Sequence, residues 1–191
     1  MSEEVENNVS SIIANYRRKA LKELEKKTRS PAKAFSFEDL ILQIKRPYFK
    51  SIDPNDTYKV VFYRLLRWSW YLIGPPSLYA VHLYSTGFKI GSLLVYQGYI
   101  RKLEDLKMLA LKSGLGIVDI LSSKSEVIVH VYEGITCSGL PNVGYTLCHF
   151  EAGVIAGVIS ALRGERYHAL EEACWGTGYS FCRFRVRKYG K

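Results

Sequence analysis

Residues 146–164 read TLCHFEAGVIAGVISALRG, the most regular stretch of the chain. Leu147, Phe150, Val154, Ile155, Val158, Ile159 and Leu162 recur at helical spacing and predict a helix over about 146–162. Gly153 and Gly157 cut a notch of small residues into it, suited to tight packing, and Gly164 closes it. Outward from this helix the period changes to two. Gly116–Ser122 and Glu126–Glu133 are short β-branched runs between turn residues, as expected of two antiparallel strands. Residues 166–173 and 181–188 read as a second pair, joined by a loop with Gly176 and Gly178. Cys182, Phe184 and Val186 fall on one face of the last strand, and Phe181, Arg183, Arg185 and Arg187 on the other.

Upstream, the chain reads as helices. Residues 5–27 form a polar helix with a thin apolar stripe of Ile12, Ile13, Tyr16, Ala20, Leu21 and Leu24, able to dock on the body or on a second subunit. Ser30-Pro31 ends it, and Ser36-Phe37-Glu38-Asp39 offers another helix start. Asp56 or Thr57 can cap a helix to about Ile73, with Val60, Val61, Leu65, Trp68 and Leu72 on its buried side and Pro75-Pro76 as a stop. A helical region over about 77–96 carries Gly87 and Gly91, which permit either close backbone approach or a bend. A further helix covers about 99–112, with Leu103, Leu106, Leu109 and Ala110 inward. Helices first, then strand-strand-helix-strand-strand, is an α+β order. We expect an N-terminal helical extension over 1–55 and one domain over 56–191.

The chain has 191 residues, 48% hydrophobic, enough for one core. Its net charge of +9 is spread over the sequence with acidic residues among the basic ones, as on a solvated surface. No zinc-finger, recognition-helix or RNA-sheet signature points to direct nucleic-acid binding. The N-terminus has no basic region leading into an apolar stretch, and no run approaches the roughly 18 apolar residues of a membrane span. The expected location is therefore the cytoplasm. There, four cysteines serve as ligands or buried thiols sooner than as structural disulfides.

Those cysteines are spaced Cys137-x10-Cys148-x25-Cys174-x7-Cys182, which is not a pair of zinc-ribbon knuckles. Cys148 lies at a helix start, where backbone N–H groups and the helix dipole favour a thiolate. Cys174 ends one strand and Cys182 opens the next, so strand pairing brings them together. Glu171 can add a carboxylate oxygen, giving the tetrahedral donor set that Zn²⁺ prefers. Cys137 is the alternative fourth ligand; separate core thiols and redox-linked pairs are the alternatives to a metal.

The sequence resembles a known family at two places. Pro141-x-x-Gly144-x-x-x-Cys148-x-Phe150-x-Ala152-Gly153-x-x-Ala156-Gly157 resembles the helix motif of 4-vinyl reductase domains, and Glu171-x-x-Cys174-x-x-x-Gly178-x-x-x-Cys182-x-Phe184 their C-terminal motif. The resemblance covers roughly residues 75–188 and is strong from 141 onward. The family is associated with bacteriochlorophyll synthesis and with archaeal proteins of unknown role. It is similar to the sensory domains of phenol-responsive activators and to small subunits of the TRAPP tethering complex. It implies helices and a helical bundle packed on a four-stranded antiparallel sheet, in a homodimer. In its aromatic-sensing members three cysteines and a glutamate hold zinc, and the matching positions here are Cys148, Glu171, Cys174 and Cys182. Cys137 has no assured counterpart, and the acidic residue usual after the motif glycine is Tyr179 here.

Aromatic residues suggest where a ligand would lie. Trp68, Tyr71, Tyr84 and Phe88 from the helices and Tyr132, Tyr145, Trp175 and Tyr179 from the sheet side can line a pocket, or simply fill the core and a dimer interface. No Gly-rich nucleotide loop follows a strand, and the four histidines show no HExxH spacing. The expected function is thus a zinc-containing sensor or carrier for an apolar or aromatic small molecule, signalling to a regulatory protein partner. A protein-interaction adaptor with a zinc staple is the alternative, and an enzyme of the vinyl reductase type comes third.

Overall fold

The computed structural model describes residues 3–26, 28–68, 76–122 and 126–190. Within them the helices come first: α1 (Glu3–Leu24), α2 (Phe37–Leu42), α3 (Pro47–Ile52), α4 (Asp56–Trp68), α5 (Pro76–Tyr96) and α6 (Leu103–Lys112). β1 (Ile117–Ser122) and β2 (Val127–Tyr132) follow, then α7 (His149–Arg163), β3 (Tyr167–Ala173) and β4 (Cys182–Lys188). The α+β order is the one read from the change of period. Among the described residues, no helix is long and apolar enough to cross a membrane.

The strands form one antiparallel sheet in the order β1-β2-β4-β3. Alternation along each strand separates two faces. Val118, Val127, Val129, Val131, Ala169, Cys182, Phe184 and Val186 belong to the main core under α7. Ile117, Tyr132 and Phe181 belong to a second cluster on the opposite face, which α1 and α3 cover. Arg183 and Arg185 lie on that second face and bind Glu172, and Arg185 also binds Glu126.

Helix α7 packs against α5 through its glycines. A Cβ at Gly157 would lie 2.1 Å from the Phe88 carbonyl oxygen, and one at Gly153 2.1 Å from that of Tyr84. The notch is reciprocal: Gly87 and Gly91 would meet the carbonyls of Phe150 and Val154 at 2.2 and 2.3 Å. The glycines of α5 therefore serve backbone contact within a continuous helix, not a bend.

α1 docks on the body. Tyr16 stacks on Tyr132 with ring centroids 5.0 Å apart, and Ala20 is buried, while Leu21, expected in the stripe, is 47% exposed. Arg17 donates from Nε and Nη2 to the buried Asp119 carboxylate at 2.8 and 2.6 Å. Glu133, at a φ of 50°, accepts from the Tyr16 hydroxyl and from the N–H groups of Tyr48 and Phe49 at the start of α3.

Helix α4 corrects one expectation. Its buried side is Asp56, Val60, Arg64, Arg67 and Trp68, whereas Leu65 is 37% exposed, Val61 is half-buried and Leu72 lies outside the described residues. The stripe is rotated because two arginines turn inward to hydrogen-bond backbone carbonyls of the loops beside the sheet. Asp56, expected as a cap, binds Arg46 with both carboxylate oxygens.

Two outcomes follow. Gly157→Ala should destabilise the fold by about 2–3 kcal/mol in urea denaturation, because overpacking outweighs the roughly 1 kcal/mol gained in helix propensity; a net stabilisation would contradict the backbone contact. The second concerns His130, buried between Asp119, Arg183, Tyr132 and Arg17. Burial foremost, then Arg183, pulls its pKa from 6.5 down to about 4. Between those values the unfolded chain holds a proton that the folded chain does not, so this contribution is complete above pH 6.5 and is lost as the pH falls toward 4. From neutral pH to pH 4, the wild type should lose on the order of 3 kcal/mol more than His130→Gln. Parallel losses in the two proteins would contradict it.

Candidate metal centre

Three chain segments deliver four cysteines to one point in the main core. Cys137 sits in the turn after β2, where Leu140 N–H donates to its carbonyl at 2.9 Å. Cys148 is the residue that starts α7, its carbonyl accepting from Ala152 N–H. Cys174 follows β3 after an irregularity between Glu171 and Ala173, which leaves Glu172 exposed and Glu171 inward. A 3-10 turn over Trp175–Thr177, closed by Gly178 at a φ of 83°, then reverses the chain toward Cys182. Val143 and Gly144 N–H groups donate to the Gly176 carbonyl at 2.8 and 2.9 Å, tying the loop before α7 to this turn.

The four sulfurs lie within 4.8 Å of one another, and all four side chains are buried and free of disulfides. Neighbouring sulfurs are separated by 3.2 Å (Cys137–Cys182), 3.3 Å (Cys137–Cys148), 3.5 Å (Cys148–Cys182) and 3.9 Å (Cys174–Cys182). A tetrahedron with metal–sulfur bonds of about 2.3 Å has edges of about 3.8 Å, so the cluster can coordinate a metal ion. Without a cation the thiols share protons unequally. Hydrogen bonds from the other three hold Cys137 well below the usual thiol range, and burial pushes Cys148 up.

Glu171 stands beside the four, outside the sulfur group. Its Oε2 accepts from Cys148 N–H at 2.9 Å, and its buried Oε1 has no hydrogen-bond partner among the described residues. Burial, then the adjacent Cys174, raises its pKa well above the usual carboxylate range. A cation among the sulfurs would relieve both pressures.

The eight expected pocket residues do not converge on one cavity. Trp68 is in the core, stacked on Phe35 at 4.7 Å. Phe88 packs against α7, and the Tyr84 hydroxyl accepts from Ala169 N–H at 3.0 Å beside an open groove. Tyr132 and Trp175 line a cavity of about 210 Å³ under α1, with Tyr16, Lys19 and Lys45. Tyr179 lies under the Arg29 guanidinium, Tyr145 is 42% exposed, and Tyr71 lies outside the described residues.

An apolar cavity of about 90 Å³ lies between α6, the β1–β2 strands and α7. Leu106, Ala110, Val118, Val131, Val154 and Ile155 give it apolar walls, and Tyr63 and Glu151 border it as polar groups. Glu151 accepts from the Thr136 hydroxyl and pairs with Arg67 at 3.6 Å. Burial raises the Tyr63 hydroxyl's pKa, with Glu151 adding to it. Arg67 also donates to the Leu147 carbonyl at 2.8 Å, one residue before Cys148. The sequence reading missed Tyr63, Arg64 and Arg67. Their signal was a pair of arginines spaced to share the side of Val60 and Trp68.

Comparison with known proteins now has a geometry to rest on. The family model of the 4-vinyl reductase domain matches residues 127–188. An uncharacterised protein of Methanocaldococcus jannaschii is 44% identical over 73 residues, 38% of this chain and 45% of that protein. A second from the same organism is 34% identical over 108 residues, 55% of this chain and 62% of that one. The chain thus spans about half the length of these relatives. Among solved structures, a vinyl-4-reductase family protein from M. jannaschii shares the fold over 98% of this chain and 96% of its own, at 16% identity and a TM-score of 0.51. The phenol-responsive sensory domain of the transcription activator PoxR with phenol aligns over 58% and 63% of the two chains (17% identity, TM-score 0.44). Trafficking protein particle complex subunit 3 from Naegleria fowleri, covalently bound to palmitic acid, aligns over 70% and 95% (17% identity, TM-score 0.48). With its paired motifs and its sheet-and-helix core, this segment of the chain, residues 127–188, is a 4-vinyl reductase domain.

Proposed function

We propose that the chain is a zinc-stapled binding domain, a sensor or carrier for an apolar or aromatic small molecule. The observation that carries this reading is the apolar cavity bordered by Tyr63 and Glu151 and connected to the cysteine cluster through Arg67. Apolar walls with a few placed polar groups are the usual construction of a small-molecule site. Apolar cavities of about 150 Å³ accept a single aromatic ring, and this one, near 90 Å³, opens toward the surface, where a larger compound can extend.

In this reading Cys137, Cys148, Cys174 and Cys182 hold Zn²⁺, and Glu171 orients Cys148 by accepting its N–H. Four thiolates close the coordination sphere, so the metal contributes folding energy and fixes loops, with no open position for a reacting water. Ligand occupancy would be felt at Tyr63 and Glu151 and passed by Arg67 to the segment that begins α7. An exposed stripe of Tyr58, Phe62 and Leu66 along α4 supports association with a second copy or a regulatory partner. The aromatic stacking of Trp68 on Phe35 and Tyr132 on Tyr16, where a wider pocket was expected, favours the adaptor as second reading.

Native mass spectrometry of protein purified without added metal, repeated after denaturation, tests both parts. Expected are one zinc per chain and a released apolar compound, the compound disappearing in Ala110→Trp, which fills the cavity. Zinc without any compound, and no binding of the fluorescent probe 1-aminoanthracene, would leave the adaptor. Among ligand variants, Cys137→Ser should lose zinc more readily to a chelator than Glu171→Gln; the reverse order would restore Glu171 to the ligand set.

A further inference from the structure

Arg64 is fully buried on α4, and no carboxylate binds it among the described residues. Every hydrogen bond it makes among them goes to a backbone carbonyl. Nε donates to Ile135 at 3.2 Å, Nη1 to Gln43 at 2.8 Å and Leu40 at 3.5 Å, and Nη2 to Ser138 at 2.8 Å. Carbonyl dipoles satisfy its donors but do not cancel its charge, and a buried unpaired guanidinium costs several kcal/mol. The charged neighbours are Arg46 and Asp56, already bound to each other, and the cysteines Cys137 and Cys148. Burial draws its pKa down to about 10, so the group remains a cation at neutral pH.

The cysteine centre has the opposite imbalance. Four thiolates around one divalent cation leave two net negative charges in the core. Ile135 and Ser138, which accept from Arg64, flank Cys137 in the same turn. We infer that Arg64 is the built-in countercharge of this centre and the positioning residue for Cys137, so that a tetrathiolate site can be buried without external ions. The inference rests on the metal reading above and goes beyond it by assigning the charge balance to a residue on a different element. The relation is mutual: the loaded centre stabilises the buried guanidinium, and the guanidinium favours the thiolate form that a metal requires.

The test is Zn²⁺ affinity of the full chain by chelator competition, with Co²⁺ absorption as a check on tetrahedral sulfur ligation. Wild type, Arg64→Lys and Arg64→Gln are compared. Loss of the charge should weaken Zn²⁺ binding about 10–100-fold, the usual effect of removing an outer partner of a metal centre, while Arg64→Lys should retain most of the affinity. If the Gln variant binds Zn²⁺ like wild type, Arg64 is only a brace between loops and the inference falls. Should the Gln variant not fold, the Lys variant decides. Near-wild-type affinity then supports the countercharge, and binding tenfold weaker or worse means the carbonyl fork alone matters and overturns it. A wild-type chain that takes up neither metal overturns the metal reading itself, a result distinct from either of these.

Discussion

Four sulfur atoms within 4.8 Å of one another, buried in an apolar core, impose the constraint on which the rest of the site depends. Four thiolates cannot crowd together in a low-dielectric interior without a cation, and four protonated thiols gain little from such proximity. The surroundings are built around that convergence. The irregularity at the end of β3 turns Glu171 inward, the 3-10 turn after Cys174 returns the chain to Cys182, and the Gly176 carbonyl ties the two loops. Arg64 and Arg67 reach from α4 to the turns that carry Cys137 and precede Cys148.

The scaffold that permits this is the close crossing of α5 on α7. Backbone contact at four glycines sets how deep α7 can sit, and α7 carries Cys148 at its start and two walls of the apolar cavity, Val154 and Ile155. The cavity and the cysteines thus share one helix and one face of the sheet. The opposite face is polar where α1 crosses it, with Arg17 on Asp119 and Glu133 on α3. In the proposed reading the two faces divide the work: one binds and is stapled, while the other anchors the N-terminal helix.

Much of the architecture was legible because it is written in periods. The change from helical spacing to alternation located β1 to β4 and α7, and the small-residue spacing of Gly87, Gly91, Gly153 and Gly157 anticipated a tight crossing. The motif cysteines were legible from spacing. Cys137 was harder to place, because it lies in an irregular turn whose course depends on Arg64, 73 positions away in sequence. The cavity was not foreseen either. Aromatic side chains attract attention in a sequence, but here Trp68 and Tyr132 fill space, whereas the cavity is walled by alanine, valine, leucine and isoleucine that look like ordinary core. Inward arginines also rotated the buried side of α4 away from Leu65, since hydrogen bonding to loop carbonyls can outweigh burial of one leucine.

The most direct measurement is X-ray absorption at the zinc edge on protein purified without added metal. The account predicts a first shell of four sulfurs at about 2.3 Å and no light scatterer. A shell of three sulfurs and one oxygen would mean that Glu171 binds in place of Cys137. Absence of zinc from folded protein would contradict the central claim, leaving the cysteines as core thiols and Arg64 without its partner.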